Sequence, residues 1–308
     1  GPPGESVIFR FEQADAGGLD AEVRDQIGNR PVIDFSVRID GRRMSWSNPN
    51  APVTFGIPYR PTGEETAHPE RITIWHIDAE GQASAVPSGR YDPATGTVLF
   101  QVTHLSRFAV VYVEKTFDDL EEADWAKPAV EAMAAKGIIK GVSETEFRPA
   151  AYVSRADFAL LLVRTMQLQG ASGAAFSDVP ENAYYADAVS VLRNYGIVTG
   201  TGNNRFLPGD PISRQDMMVM IDRALKHANK AVSAPAQPLS GFTDADSVAD
   251  YARDSVAALI HAGLVKGSDQ KINPTAMTTR AETAVLMHRL YNHYYYSSLQ
   301  GPRPAAAN

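Results

Sequence analysis

Three arginines in this 308-residue chain stand where an α-helix ordinarily disfavours a cation. Ser154-Arg155-Ala156-Asp157, Ser213-Arg214-Gln215-Asp216 and Thr279-Arg280-Ala281-Glu282 each read as a helix start. A Ser or Thr caps the first turn, and the acid three residues on, Asp157, Asp216 or Glu282, completes a capping box. The arginine between them opposes the positive end of the helix dipole and the unpaired N–H groups of that turn. Guanidinium and free amides side by side could hold a carboxylate or phosphate, with the planar fork giving two parallel hydrogen bonds. The chemistry expected of Arg155, Arg214 and Arg280, with the hydroxyls of Ser154, Ser213 and Thr279 beside them, is anion capture. For a single arginine, a solvated or loosely paired surface charge would be the better reading; recurrence at the same place shifts the balance.

These residues belong to a repeat. The arginines are separated by 59 and 66 residues, and the same two steps separate Phe117, Phe176 and Phe242, each with an Asp two residues on (Asp119, Asp178, Asp244). Two landmarks with equal spacing define three units, 117–165, 176–225 and 242–291, each too small to bury its apolar face alone. Within each unit an aromatic residue, Trp125, Tyr184 or Tyr251, opens a first helix that ends at Gly137, Gly196 or Gly263 in a left-handed cap. A second glycine follows (Gly141, Gly200, Gly267), then an irregular loop with a proline (Pro149, Pro208, Pro274), then the arginine-capped helix. The aromatics read as core anchors by default and as a sugar-stacking wall in the alternative. The second glycines bring backbone close to a ligand or adopt an unusual dihedral, and both causes stay open. Val153 with Phe158 and Ile212 with Met217 form hydrophobic staples, whereas Thr278 with Thr283 makes a weaker one.

Residues 5–116 alternate with a period of two. Ile72, Ile74 and His76 oppose Trp75 and Ile77, while Val98, Phe100 and Val102 share a face, and "DAEG" and "YDPATG" supply turns. An N-terminal all-β sandwich is expected, closed by the strand "RFAVVYV". Residues 292–308 read as a tail, with "GPRPAAAN" disordered, and Gly1 to Gly4 as a cloning remnant on a fragment of a longer protein.

Composition excludes several functions. Without cysteine there are no disulfides, thiol nucleophiles or Cys-based zinc sites. A net charge of −7 argues against non-specific nucleic-acid binding, and no apolar run approaches the length of a membrane span. The seven histidines lack metal-ligand spacing, so neither a metal nor a cofactor is expected. A calcium loop from Asp244 to Ser255 fails at Ala249 and Ser255, and "GTGNNR" lacks the strand and third glycine of a nucleotide site. Thr103-His104 with Ser106 reads as a structural strand end, and Tyr294 to Tyr296 as an aromatic cluster packing back on the helices.

The threefold pattern of F-x-D, aromatic, paired glycines, F-x-P and [ST]-R-x-[DE] resembles the S-layer homology domain, over roughly residues 117–291. "GRYDPATGTVLFQVTHLSRFAVVYV" more weakly resembles the closing strands of β-sandwich modules that precede such triplets. The resemblance implies a multidomain protein: a β-sandwich followed by an all-α pseudo-threefold domain with a central three-helix bundle, monomeric in that part. It implies a secreted, non-enzymatic anchor on the cell wall of Gram-positive-type bacteria. The implied partner is an acidic secondary wall polysaccharide with an anionic, often pyruvylated sugar, met by Arg155, Arg214 and Arg280 in grooves between repeats. Gln215 departs from the Ala usual in the family, and Ile272 replaces the aromatic found at Phe147 and Phe206. The grooves are therefore expected to differ. Rival readings are a polysaccharide-processing enzyme delivered by the repeats, for which no convergent acids or nucleophile are present, and a self-assembling lattice protein.

Overall fold

The computed structural model describes residues 7–39, 42–48, 51–170, 173, 176–233 and 239–296. It divides into two compact units, the first comprising residues 1–116 with 131–140, and the second residues 117–130 with 141–308.

The first unit is built on antiparallel strands: β1 (Val7–Gln13), β2 (Val32–Ile39), β3 (Arg42–Met44), β4 (Val53–Pro58), β5 (Ile72–Ile77), β6 (Ala83–Val86), β7 (Arg90–Asp92), β8 (Thr97–Val102) and β9 (Arg107–Tyr112). One sheet runs β1-β2-β9-β5-β6 with β3 also on β2, and the other runs β4-β8-β7. Alternation decides what each face meets. Phe108, Val110 and Tyr112 of β9 join Ile72, Ile74, Val98 and Phe100 in one apolar cluster drawn from both sheets. Ala109 and Val111 face the other way, against Ile77, Val32 and the short helix α1 (Ala21–Ile27). Strand β9 is thus buried on both sides, as its unbroken apolar run requires. A second short helix, α2 (Gly63–Ala67), carries Glu65, which is held by Arg30 at 2.7 Å and by the Tyr59 hydroxyl. His76 Nε2 lies 2.9 Å from Ser106 Oγ with the His104 ring edge-on at 4.8 Å, a packed strand end.

Residues 131–140 belong with the strands for specific reasons. Glu131 pairs with Arg71 at 2.6 Å, and Lys136, 2% exposed, donates from Nζ to the Gly89 carbonyl at 2.8 Å. Burial, and then the nearby Arg90, push the Lys136 ammonium down to about 7.

The remaining helices are α3 (Lys127–Ala135), α4 (Arg155–Met166), α5 (Ala186–Asn194), α6 (Arg214–His227), α7 (Arg253–His261) and α8 (Arg280–Tyr296). Gly137, Gly196 and Gly263 end α3, α5 and α7 with φ of 68°, 66° and 71°. In the second unit the cap segments pair with one another: Tyr152 with Thr279, Ser154 with Pro211, and Ser213 with Met277. Helix α8 runs five residues into the segment read from sequence as tail. Tyr295 is buried there and its hydroxyl reaches Gln167 Oε1, while residues 297–308 lie outside those described. Thr278 and Thr283 are as buried as the apolar staples of the other repeats.

Candidate functional site

Each repeat first fixes its own loop. Asp178 accepts hydrogen bonds from the N–H groups of Phe206 (2.8 Å) and Leu207 (2.9 Å). Asp119 does the same for Phe147 and Arg148, and Asp244 for Ile272 and Asn273. The second residue of each pair, Arg148, Leu207 or Asn273, has a φ of 54–59°, a left-handed conformation that non-glycine residues adopt at a cost. The aspartate clamp holds that strained turn. Burial raises the Asp178 and Asp244 carboxyls, but the amides they accept from outweigh it and hold both below the usual carboxylate range. A depressed folded value means stability present above the unfolded pKa and lost as pH falls through the folded one. Asp178→Ala is therefore expected to cost about 2 kcal/mol at pH 7, the range for bonds to a charged group. That difference from the parent should vanish on acidification below the normal aspartate range, as read by urea melts against pH.

The next repeat in the ring is then engaged by the cap arginine. The Arg155 N–H donates to Asp210 O, the Ala156 N–H to Pro208 O, and Arg155 Nε to Phe206 O at 2.9 Å. Arg214 repeats this on the third unit, through Ala276 O and Ile272 O, and Arg280 closes the ring on the first, through Ala151 O and Phe147 O. This corrects the expectation of free helix-start amides. In α4 the N–H groups of Arg155 and Ala156 go to the neighbouring loop, that of Asp157 to Ser154 Oγ, and that of Phe158 to Ser154 O. Helices α6 and α8 are satisfied in the same way. An anion can be met there only by the guanidinium, whose Nε is already committed and, in Arg155, whose Nη1 faces Asp216 Oδ2 at 3.5 Å. The arginines thus have a structural duty, which explains a cation at a helix start: it seats on a carbonyl of the next repeat.

Other expectations are sorted by the same geometry. Ser154, Ser213 and Thr279 spend their oxygens on the caps. Only Glu282 also accepts from the cap backbone N–H; Asp157, one methylene shorter, accepts from the Ser154 hydroxyl instead. A Cβ on Gly267 would lie 2.4 Å from Phe242 Cε1, one on Gly141 2.4 Å from Phe117 Cε1, and one on Gly200 2.6 Å from Phe176 Cε1. The F-x-D phenylalanine occupies the space, so packing accounts for the second glycines. Among the three, Gly200 alone also has positive φ, 81°. The aromatics are not core anchors: Trp125, Tyr184 and Tyr251 are 61%, 70% and 58% exposed. Tyr184 donates to Asp157 Oδ1 at 2.6 Å and Tyr251 to Asp216 Oδ1 at 2.8 Å. Burial, and then these carboxylates, push both phenols up to about 12.

Two grooves follow from this arrangement, each assembled from all three repeats. One, of about 430 Å³, brings together Arg155 of the first repeat, Gly200, Asp216 and Arg223 of the second, and Tyr251 of the third. The other, of about 120 Å³, gathers Arg214, then Lys266, Glu282 and Arg289, then Trp125. Around Arg280 the same relation recurs in part, with Asp157 and Tyr184 among its charge neighbours. The guanidiniums of Arg155 and Arg280 lie over Phe206 (5.1 Å) and Phe147 (4.5 Å); Ile272 offers Arg214 no ring. Each groove can offer a carboxylate one guanidinium edge and a sugar ring an exposed aromatic face. Sequence reasoning missed Arg164, Arg223 and Arg289. Their steps are also 59 and 66, and Arg223 and Arg289 line the grooves. Among the described residues no cluster of three or more His, Asp or Glu could hold a metal, and no helix is long and apolar enough to cross a membrane.

A family model described as the S-layer homology domain matches residues 116–159, 175–218 and 241–284. The amylopullulanase of Thermoanaerobacterium thermosulfurigenes is 29% identical over 224 residues, 72% of this chain and 12% of that protein. The exoglucanase XynX of Acetivibrio thermocellus is 30% identical over 57% of this chain and 16% of its own length. The surface-layer 125 kDa protein of Lysinibacillus sphaericus is 28% identical over 54% of this chain and 14% of its length. The match thus spans less than a fifth of each of these relatives.

Proposed function

From the premise that the chain carries three S-layer homology domains and is a cell-surface, wall-associated protein, we propose that it is a non-catalytic anchor binding an acidic secondary wall polysaccharide, of which a pyruvylated sugar is the anionic part. The observation that carries this reading is the recurrence of one groove chemistry: a cap arginine from one repeat, the acid and second arginine of the next, and an exposed aromatic from the third. A guanidinium edge suits a ketal carboxylate, and an aromatic face suits the sugar ring beside it. The cyclic hydrogen bonding supports a pseudo-threefold domain about α4, α6 and α8, and the shared apolar cluster supports a β-sandwich in the first unit. Such an anchor is indifferent to its cargo, in keeping with similarity both to proteins named amylopullulanase and exoglucanase and to one named a surface-layer protein.

The test is calorimetric titration of the whole chain with wall polysaccharide before and after chemical removal of its pyruvyl groups. The whole chain is used because residues 131–140 of the first repeat pack with the strands. Binding is expected to be lost with the carboxylate. Undiminished binding would overturn carboxylate capture, and no binding to either form would overturn the anchor reading itself.

A further inference from the structure

The two grooves differ in ways that point to different tasks. Gln215 occupies the position held by Ala156 and Ala281 in the other repeats. At 7% exposed, it is engaged at both ends of its amide: Oε1 accepts from the Ala249 N–H at 3.1 Å, and Nε2 donates to the Tyr251 hydroxyl at 3.3 Å. Tyr251 is thereby held from two sides, since its own proton goes to Asp216. The residue before the second glycine also differs: Thr199 here, against Lys140 and Lys266. The Arg155 groove is accordingly the larger, about 430 against 120 Å³, and the less basic. Its charges are Arg155 and Arg223 against Asp216, where the other groove sets Arg214, Lys266 and Arg289 against Glu282.

We infer that the Arg155 groove is the principal saccharide site, taking a sugar with a single carboxylate and its neutral neighbour, and that Gln215 is a positioning residue holding Tyr251 as the platform on which that sugar stacks. The inference rests on the proposed wall-glycan binding and deepens it. A ring fixed before binding loses little freedom when the sugar arrives, so the hydrogen bonds of Gln215 act on affinity through Tyr251. The smaller, more basic Arg214 groove offers a saccharide less space and more positive charge.

The experiment is a double-mutant cycle on the whole chain, titrated with pyruvylated wall-polysaccharide fragments. Gln215→Ala restores the residue of the other two repeats; it is expected to lower the melting temperature modestly, since the Ala249 N–H loses its acceptor, and to weaken binding about fivefold. Tyr251→Ala should weaken it about tenfold, the scale of one aromatic contact, and Trp125→Ala, in the Arg214 groove, less than about twofold. In the Tyr251→Ala background, Gln215→Ala should have no further effect. If Gln215→Ala leaves affinity unchanged, or still lowers it without Tyr251, the positioning role is overturned. Equal losses from Trp125→Ala and Tyr251→Ala overturn the primacy of the groove. Absence of binding by the parent chain would overturn the anchor reading, a distinct outcome.

Discussion

Gly267→Ala is expected to destabilise the helical unit by about 3 kcal/mol or more, among the largest effects of a single methyl group. The added Cβ would sit 2.4 Å from Phe242 Cε1 and 2.7 Å from the Lys271 carbonyl oxygen. Phe242 cannot withdraw without moving the motif that positions Asp244, which in turn holds the amides of Ile272 and Asn273. Those residues precede Pro274, whose carbonyl accepts the Gln215 N–H, so the disturbance reaches the seam between the second and third repeats. Gly263→Ala is the matched control. It has φ of 71° but nothing within 4 Å of its would-be Cβ, so it should cost only about 1 kcal/mol of backbone strain. Urea melts of the two variants, followed by circular dichroism, measure the difference. Equal melts, with glycan affinity lost only in Gly267→Ala, would mean that the glycine serves a ligand and not the phenylalanine.

Arg155→Ala should lower stability and affinity together, because the residue has two duties. Loss of the Nε bond to the Phe206 carbonyl is expected to cost about 2 kcal/mol of folding stability. Loss of the guanidinium edge should weaken wall-glycan binding at that groove by roughly 10- to 150-fold, the equivalent of about 1.5–3 kcal/mol. Arg155→Lys separates the duties. One ammonium can serve the carbonyl or the ligand but lacks the fork that serves both. Stability is expected to recover in part while affinity stays low, as judged by thermal melts alongside calorimetry. A variant that loses stability but binds as well as the parent would make the arginine a purely structural residue.

Both substitutions probe contacts of a kind that a sequence carries only as residue type. The strands were readable because a period of two sorts Phe108, Val110 and Tyr112 from Ala109 and Val111 within one short segment. Cap residues were equally plain, since Ser154 and Asp157 are three positions apart and satisfy each other locally. The role of the second glycines was not: the ring each one accommodates lies some 25 residues upstream. The free amides expected beside the arginines were wrong for the same reason, their acceptors being carbonyls in a different repeat. Arg223 and Arg289 were overlooked although their spacing repeats, because mid-helix arginines look like solvated surface.

The threefold repeat, the helix caps, the strand pattern and the three arginines are legible in the residues alone, since each is written in spacings shorter than a helix or in equal steps along the chain. What those arginines touch is set by the folded chain. Arg155 reaches 51 residues ahead to Phe206, Arg214 58 ahead to Ile272, and Arg280 133 back to Phe147. That last bond closes the ring. A periodic sequence records that three units are alike, but the order in which they grasp one another exists only once the chain has turned back on itself and buried their faces together.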